Sequence, residues 1–591
     1  MLKEHRFDGS NVSGRMLVLV GGILLLGLAL RLVGLSDHTM GHNEIYIPGI
    51  KLPQHLANPA PRLTFRDTIA GTIAVESHPP GYYLFMLAWT KCFGTSLFSI
   101  RLPSVIFDGG TIVLIFMLAA CVGMPKSGLL AALIWATGGL ATYLAQEARM
   151  YPMTCFLGVL STLLLIKTYT GPQSRRRLVM GAYILTLLAG LSTSHFFWPI
   201  LVVHVLYTLL GPAATGGNEP VQLRWQWFVV ALASPLLAVA AFQSGRESYL
   251  SPNIGQQLLG YLCLLFVWSP RDGLPSSQWL PAYTLIIIAP LCLLLLAVGI
   301  RKIRRAPFKY CDESVRCTTA VLIVTAGLAV MVITLFAYAT FRKRAEIDWL
   351  AYRIGPIVAC GSVPLIALAA DYLVRRYYSG VRKTTLAFGA PLSPAWLAAM
   401  LAIIPVAVLA SVSLAIPLIA LRTVAIFGPF LLLVISAGAL CIFQSKLRQA
   451  LVIAGLLALN IGGLVDYRRQ LHSPDDYAGI TAKVKGQAKP DDLLFVFRHW
   501  AMTPIYYYLD SESYNFVGHD HAAIIGEHPE ARVWVFGFDE LSPPAEVTAP
   551  LSNHRWLRRV SARGMYTDLY VAASEDSTDK PGPGKSNDAE I

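Results

Sequence analysis

Long apolar runs recur along most of the chain and are separated by short polar stretches. An apolar run of about 17 to 25 residues is long enough to cross a bilayer as a helix. About thirteen windows approach or meet this length, near residues 16–35, 102–122, 127–143, 151–167, 178–194, 196–211, 225–242, 281–300, 317–340, 354–373, 395–416, 422–444 and 449–466. The pattern predicts a polytopic α-helical membrane protein over residues 1–469.

The apolar pattern is interrupted by two long polar regions. The first is a loop over residues 36–100, which follows the first predicted span. The second begins near residue 470, where the pattern predicts helices over 475–485 and 503–509 and strands over 493–498, 532–538 and 568–573. We therefore expect a small α/β domain over 470–573. Residues 574–591 are polar and rich in Pro, Gly and Ser, a composition typical of disorder.

Composition supports the membrane assignment. The 591 residues are 55% hydrophobic and 14% charged, whereas roughly a quarter of a soluble domain is usually charged. The first apolar run is long and leads into Ser36 and Asp37 without a small-residue cleavage site, so it predicts a retained span rather than a signal peptide. The last of the nine cysteines is Cys441, which leaves the C-terminal domain without disulfides.

The placement of positive charge predicts the orientation. The formal net charge is +13, a value that also suits a nucleic-acid-binding protein. With the N-terminus in the cytoplasm, however, 18 Lys and Arg residues fall in the inner loops and 8 in the short outer loops. This bias follows the positive-inside rule and makes nucleic acid unnecessary as an explanation. We expect a multi-pass protein of the inner or plasma membrane whose C-terminal domain is periplasmic or extracellular.

The candidate site residues lie in the predicted outer segments or at their edges. The first loop holds His42, Asn43 and Glu44 and, further on, Glu76 and His78. The turn after the third span holds Glu147, Arg149 and Tyr151, and Arg101 stands at the start of the second span. The positive-inside pattern is broken by a cationic run of Arg342, Lys343, Arg344 and Arg353, and Tyr352 stands next to Arg353.

The order of these motifs resembles the dolichyl-phosphate-mannose protein mannosyltransferases and their bacterial relatives. That superfamily of GT-C-type integral-membrane glycosyltransferases includes the aminoarabinose transferase of lipid A. The residues that carry the resemblance are Arg31, the acidic motif of the first loop, the sequence His-Pro-Pro-Gly-Tyr-Tyr at 78–83, Phe93-Gly94, Ile-Arg-Leu-Pro-Ser at 100–104 and Gln-Glu-Ala-Arg-Met-Tyr at 146–151. The match is strongest over residues 16–210.

The resemblance implies sugar transfer from a polyprenyl-phosphate carrier to a lipid, glycan or protein at the outer membrane surface. An acidic residue of the first loop would take the proton of the acceptor hydroxyl, and cations would stabilise the departing phosphate. The family usually has Asp-Glu in this loop, whereas this chain has Asn43 followed by Glu44. Because an amide cannot accept that proton, Glu44 or His42 is expected to act instead. The alternative for Glu44 is a carboxylate that caps a helix.

The motifs that carry the resemblance and the outer cationic run together predict the substrate-binding residues. These are Glu76, His78, Arg101, Glu147, Arg149, Tyr151, Arg342, Lys343, Arg344, Tyr352 and Arg353. Arg149 and the cationic run suit the carrier phosphate. Alternatively, Arg149 pairs with Glu147, and the run is a solvated loop. Glu76 and His78 are also candidate ligands of a divalent metal, although two ligands are too few without partners from elsewhere.

Two other functions are compatible with the sequence. A transporter or flippase for a lipid-linked sugar would share the many spans and the outer cations, but it should also show inverted repeats, which the sequence lacks. A non-catalytic member of the superfamily would account for Asn43. The long first loop, with its acidic motif followed by His-Pro-Pro, favours the enzyme.

Overall fold

A bundle of apolar helices carries a small α/β domain at one end. The computed structural model describes residues 13–37, 39–41, 44–50, 62–210, 221–243, 254–267, 287–305, 394–413, 419–470, 476–496, 499–509, 515–518, 523–538, 549–562 and 564–573. The bundle consists of α1 (Gly14–Leu32), α2 (Phe65–Val75), α3 (Gly81–Phe93), α4 (Leu97–Cys121), α5 (Pro125–Thr137), α6 (Gly139–Gln146), α7 (Tyr151–Thr170), α8 (Arg176–Thr193), α9 (Trp198–Leu210), α10 (Val221–Gln243), α11 (Ile254–Leu262), α12 (Ala289–Arg305), α13 (Pro394–Ser413), α14 (Leu421–Val424), α15 (Gly428–Ala439) and α16 (Lys446–Gln470).

The described helices confirm a polytopic membrane protein. Seven of them are long and apolar enough to cross a membrane, or eight if the bent pair α5–α6 forms one span. The predicted spans 317–340 and 354–373 lie outside the described residues, so the total of about thirteen stays a prediction. The apolar stretch after His-Pro-Pro forms α3, whose 13 residues are too few to span a bilayer.

The third predicted span is broken where α5 meets α6. The two helices bend by 59° at Gly138. α16 packs into this bend, where Thr137 donates a hydrogen bond to the side-chain oxygen of Asn460. A Cβ on Gly139 would lie 2.5 Å from the backbone oxygen of Gly463, so only glycine permits this close approach. The bend directs α6 and the turn after it toward the first loop.

A buried ion pair fixes the end of α1 that leads into the first loop. Arg31 donates to Asp108 of α4 and also to the backbone oxygens of Trp135 and Ala136 at the end of α5. Arg31 and Asp108 are both almost fully buried. Removing one partner of such a pair leaves the other charge buried and uncompensated, which typically costs about 3–5 kcal/mol. Arg31 therefore joins α1, α4 and the broken span at one point.

The C-terminal domain contains a five-stranded mixed sheet. Its helices and strands are α17 (Tyr477–Lys485), β1 (Leu493–Val496), α18 (His499–Leu509), β2 (Asn515–Gly518), α19 (Ala523–Glu527), β3 (Val533–Phe538), β4 (His554–Ala562) and β5 (Met565–Ala572). The strand order is β2-β1-β3-β5-β4, in which β1 pairs in parallel with β2 and β3. The sequence predicts β1, β3, β5, α17 and α18 but misses β2 and β4.

The C-terminal domain and the first loop lie at the same end of the bundle. The backbone amide of Met40 donates to the hydroxyl of Tyr508 in α18 over 2.8 Å. At the end of α16, Arg468 donates to the backbone oxygen of Val33 over 2.8 Å. This shared end agrees with the relative placement that the charge pattern predicts. The side of the membrane on which that end lies stays a prediction.

Candidate functional site

Glu44 forms a bidentate ion pair with Arg101 beneath the first loop. Arg101 Nε lies 2.8 Å from Glu44 Oε1, and Arg101 Nη2 lies 2.6 Å from Glu44 Oε2. Oε2 also accepts from the amide of Gly41 at 3.1 Å, and Oε1 accepts from the amide of Ala148 at 2.9 Å. Glu44 is 3% exposed and Arg101 is fully buried. The pair therefore fastens the first loop to α4 and to the turn before α7.

Arg101 binds the first loop at two further points. It donates to the backbone oxygens of Leu35 at 2.8 Å and Thr39 at 3.1 Å. A planar guanidinium with several donors suits such simultaneous bonds, which a lysine could not reproduce. Arg101 thus fixes the backbone of the first loop at Leu35 and at Thr39.

The turn between α6 and α7 is held by Gln146. Its amide nitrogen donates to the backbone oxygens of Arg31 at 2.7 Å and Val33 at 2.9 Å. Its amide oxygen accepts a short hydrogen bond from the hydroxyl of Tyr467 in α16. Gln146 therefore connects α1, α6 and α16 immediately before Glu147 and Arg149.

A second cluster places two arginines on Glu76. Arg62 Nη2 lies 3.1 Å from Glu76 Oε1, and Arg149 Nη1 lies 3.9 Å from Glu76 Oε2. Arg149 also donates to the hydroxyl of Tyr83 at 3.4 Å, and the guanidinium carbon of Arg62 lies 5.1 Å from the centre of the Tyr83 ring. Arg62 is 3% exposed and Arg149 is 8% exposed. Glu76 balances one of the two cations, so the three charged groups together carry an excess positive charge.

His78 is buried beside this cluster. Its ring centre lies 6.4 Å from that of Tyr151, in an edge-on arrangement. Its backbone oxygen accepts from the side-chain amide of Gln243 at 3.1 Å, and the oxygen of that amide is 2.9 Å from His195 Nε2. Burial, and after it the charge of Arg149, holds the pKa of His78 well below its usual range. His78 is therefore neutral at physiological pH, and its imidazole can offer a hydrogen bond but no charge.

Glu147 lies between the two clusters and is only partly buried. Its backbone oxygen accepts from the amide of Arg149 at 2.9 Å, and its side chain bonds to Tyr143. Burial raises the pKa of Glu147, and the charge of Glu44 raises it further, while Tyr143, Arg149 and Arg422 act in the opposite direction. The two nearby carboxylates therefore have different environments.

Helix α18 of the C-terminal domain contacts the first loop at two points. Besides the Met40–Tyr508 bond, the hydroxyls of Tyr46 and Thr503 lie 3.2 Å apart. The amide of Gly41, next to Met40, is one of the donors to Glu44. The domain thus contacts the segment that surrounds the Glu44–Arg101 pair.

The structure describes half of the residues predicted for the site and brings these together. Glu44 and Arg101 form one cluster, Glu76, His78, Arg149 and Tyr151 form the other, and Glu147 lies between them. Five predicted cationic or aromatic residues and two of the first loop lie outside the described residues, namely Arg342, Lys343, Arg344, Tyr352, Arg353, His42 and Asn43.

Four residues in or beside the two clusters were not predicted as site residues from the sequence, namely Arg62, Tyr83, Arg422 and Tyr508. Arg62 stands among loop residues with no motif around it, so only the fold shows that it reaches Glu76. Tyr83 lies within the His-Pro-Pro-Gly-Tyr-Tyr motif, which was a signal for its place in the site. In the described ranges, no group of three or more His, Cys, Asp or Glu residues could hold a metal ion.

Comparisons with known proteins give similar solved structures only. No family model matches the chain, and no curated protein matches it. ArnT from Cupriavidus metallidurans bound to undecaprenyl phosphate is 13% identical, covers 96% of this chain and 100% of its own, and superposes with a TM-score of 0.41.

Two further solved structures are similar over most of this chain. The mycobacterial arabinofuranosyltransferase AftD is 13% identical over 97% of this chain and 41% of its own, with a TM-score of 0.40. AglB from Archaeoglobus fulgidus, in complex with an inhibitory peptide and a dolichol-phosphate, is 10% identical over 95% of this chain and 75% of its own, with a TM-score of 0.39. All three are membrane glycosyltransferases of the GT-C type, the superfamily that the sequence motifs of this chain resemble.

Proposed function

We propose that this protein transfers a sugar from a polyprenyl-phosphate carrier to an acceptor hydroxyl at the outer face of the membrane. The observation that carries the proposal is the buried cationic cluster around Arg149, at the end of an apolar helical bundle. A lipid-borne phosphate would reach such a cluster from within the bilayer. Burial strengthens the attraction between the guanidinium and the phosphate, because little water competes for either group.

Each residue has a role in this proposal. Arg149 binds the carrier phosphate by charge-assisted hydrogen bonds, and the neutral imidazole of His78 is a further hydrogen-bonding group beside it. Tyr151 supports His78 by edge-on ring packing. Arg101 and Glu44 hold the first loop over the site. The cationic run at Arg342, Lys343, Arg344 and Arg353, with Tyr352, completes the phosphate site in this proposal.

The reaction needs proton removal from the acceptor and stabilisation of the departing phosphate. A phosphate ester is already a good leaving group, so the cations suffice and a general acid is unnecessary. In sequence terms Glu44 is the hypothesised base, with His42 as its rival. The four hydrogen bonds that Glu44 already accepts bear on that choice.

Binding and turnover of defined lipids test the proposal. Purified full-length protein should bind undecaprenyl phosphate, and it should transfer label from at least one member of a panel of polyprenyl-phosphate pentoses and hexoses to a membrane extract. Arg149→Ala should weaken undecaprenyl phosphate binding by about 10- to 100-fold, the equivalent of one charged hydrogen bond. Arg149→Lys should restore only part, because lysine lacks the planar fork.

Two outcomes would reject the proposal. Undecaprenyl phosphate binding that is unchanged in Arg149→Ala would remove Arg149 from the phosphate site. Movement of intact lipid-linked sugar across vesicles, without transfer to any acceptor, would instead identify a transporter.

A further inference from the structure

Glu44 is poorly suited to accept a proton during turnover. Its two oxygens receive four hydrogen bonds, two from Arg101 at 2.8 and 2.6 Å and two from the amides of Gly41 and Ala148 at 3.1 and 2.9 Å. Protonating this carboxylate would leave the fully buried Arg101 beside a neutral partner, a cost of several kcal/mol. The geometry therefore suits an ionised group that fixes the first loop.

Glu147 lies immediately beside this pair in a more open position. The amide that follows it in the chain, that of Ala148, is the donor to Glu44 Oε1. The Glu147 side chain is partly exposed, whereas Glu44 is buried. Its hydrogen bond to Tyr143 orients the carboxylate and leaves other lone pairs available. Glu147 can therefore meet an acceptor hydroxyl without the loss of a buried ion pair.

The two carboxylates divide the roles of anchor and base as paired acids do in other active sites. Arg101 keeps Glu44 charged, and the charge of Glu44 in turn disfavours a second charge on Glu147. Burial and that repulsion bring the pKa of Glu147 above its ordinary value and thus closer to neutrality, where a general base is most effective.

We propose that Glu147 is the catalytic base that accepts the proton of the acceptor hydroxyl, a role that rests on the proposed function. The acceptor oxygen forms a bond to the anomeric carbon of the sugar while the bond from that carbon to the phosphate oxygen breaks. The bonding electron pair leaves with the polyprenyl phosphate, whose charge Arg149 balances. Glu147 then returns its proton to water. Base and phosphate ligand are thus two residues apart in one turn.

The experiment compares Glu147→Gln, Glu147→Asp and Glu44→Gln in the purified full-length protein. The substrate is the polyprenyl-phosphate sugar that the wild type uses, and binding is measured with undecaprenyl phosphate. Glu147→Gln should lower kcat by roughly 10²–10⁴ while the Kd for undecaprenyl phosphate stays near the wild-type value. Glu44→Gln should lower the Tm because it breaks the Arg101 pair, but the folded protein should lose much less kcat. Glu527→Gln, on the exposed surface of the C-terminal domain, is the matched control.

A pH profile separates a base from a structural residue. Four groups set the titration of Glu147, namely Glu44 of the first loop, Tyr143 of α6, Arg149 of the turn and Arg422 of α14. Wild-type kcat should fall as the pH drops through the raised pKa of Glu147. Glu147→Asp should keep part of the activity. The pH at which kcat falls should shift in this variant, because the shorter side chain places the carboxylate at a different distance from these groups.

Three outcomes would overturn the inference. They are near-normal kcat in Glu147→Gln, a loss in folded Glu44→Gln as large as that in Glu147→Gln, and a loss in folded His42→Ala larger than that in Glu147→Gln. In each of them the wild type still transfers sugar, so the proposed function survives. A wild type that transfers sugar from no polyprenyl-phosphate donor rejects the proposed function and this inference together.

Discussion

Replacing Arg62 by glutamine should weaken the binding of the carrier phosphate, although Arg62 itself is buried against Glu76. Arg62 Nη2 lies 3.1 Å from one oxygen of Glu76, and Arg149 Nη1 lies 3.9 Å from the other. Arg62 is therefore the closer partner of Glu76, and its charge weakens the attraction between Glu76 and Arg149. Without Arg62, Glu76 would attract Arg149 more strongly, and the phosphate would have to compete with Glu76 for that cation.

The size of the change in Kd can be worked out from the attraction between Glu76 and Arg149 and from the hydrogen bond that Arg149 would give the phosphate. Two unit charges about 4 Å apart attract by roughly 4 kcal/mol at an effective dielectric constant near 20. The phosphate loses at most the charge-assisted hydrogen bond that Arg149 would give it, which contributes about 1.5–3 kcal/mol. The Kd for undecaprenyl phosphate should therefore rise on the order of 10- to 100-fold in Arg62→Gln.

Equilibrium binding of undecaprenyl phosphate to the purified protein measures this effect. The Tm without lipid is recorded for each variant, so that Kd values are compared only between folded proteins. Glu76→Gln alone should bind the lipid at least as tightly as the wild type, because it frees both arginines. The double variant Arg62→Gln/Glu76→Gln should return to the wild-type Kd, and Arg66→Gln, an exposed arginine of α2, should not change it.

A purely structural role of Arg62 gives a different result. It would lower the Tm of Arg62→Gln and leave the Kd of the folded protein unchanged. Weaker binding in Glu76→Gln would show that Glu76 itself contacts the substrate, as the sequence suggests. Either result, or a double variant that binds no better than Arg62→Gln, would refute the charge-compensation argument.

Three further predictions concern other parts of the chain. A topology reporter fused after Ala573 should be active outside the cytoplasm, and activity only in the cytoplasm would contradict the orientation drawn from the Lys and Arg bias. Tyr508→Phe removes the hydroxyl that holds the Met40 amide, so it should cost about 1 kcal/mol and speed proteolysis within the first loop; an unchanged cleavage rate would contradict this contact. Asn43→Asp introduces the acid that the superfamily resembled by the motifs usually has at this position, and it should be tolerated or should raise kcat, whereas a clear loss of kcat in the folded variant would contradict this expectation.

Hydrophobic length and polarity predicted the helical bundle because a bilayer imposes a physical requirement that a sequence shows directly. A helix must supply enough apolar residues to cross the hydrocarbon, so the sequence alone identifies α4, α7 and α13 as long apolar windows. The break at Gly138 could not be predicted from the sequence, because α5 and α6 together satisfy the same length rule as a straight helix. The C-terminal strands β2 and β4 were missed for another reason. β2 has only four residues, and β4 alternates poorly because it carries Arg555, Arg558 and Arg559.

The site was predictable where motifs mark it and unpredictable where only folding assembles it. Glu44, Arg101 and Arg149 were predicted from their motifs. The sequence could not show that Arg101 donates hydrogen bonds to both carboxylate oxygens of Glu44, which lies 57 residues earlier in the chain. Nor could it show that Arg62 is the nearer partner of Glu76. Long-range ion pairs depend on how helices pack, and spacing along the chain does not encode that packing.

The contact between α18 and the first loop has a consequence for the biosynthesis of the protein. The Met40–Tyr508 and Tyr46–Thr503 pairs join positions 468 and 457 residues apart. At roughly 5–20 residues per second, a ribosome needs about 20 to 90 seconds to make that interval. The Glu44–Arg101 pair, 57 residues apart, can form early. The contacts with α18 have to wait until about five sixths of the 591 residues have been made. A stop codon shortly before residue 503 would therefore leave every predicted span in place and yield an inserted protein whose first loop lacks the Tyr46–Thr503 and Met40–Tyr508 contacts.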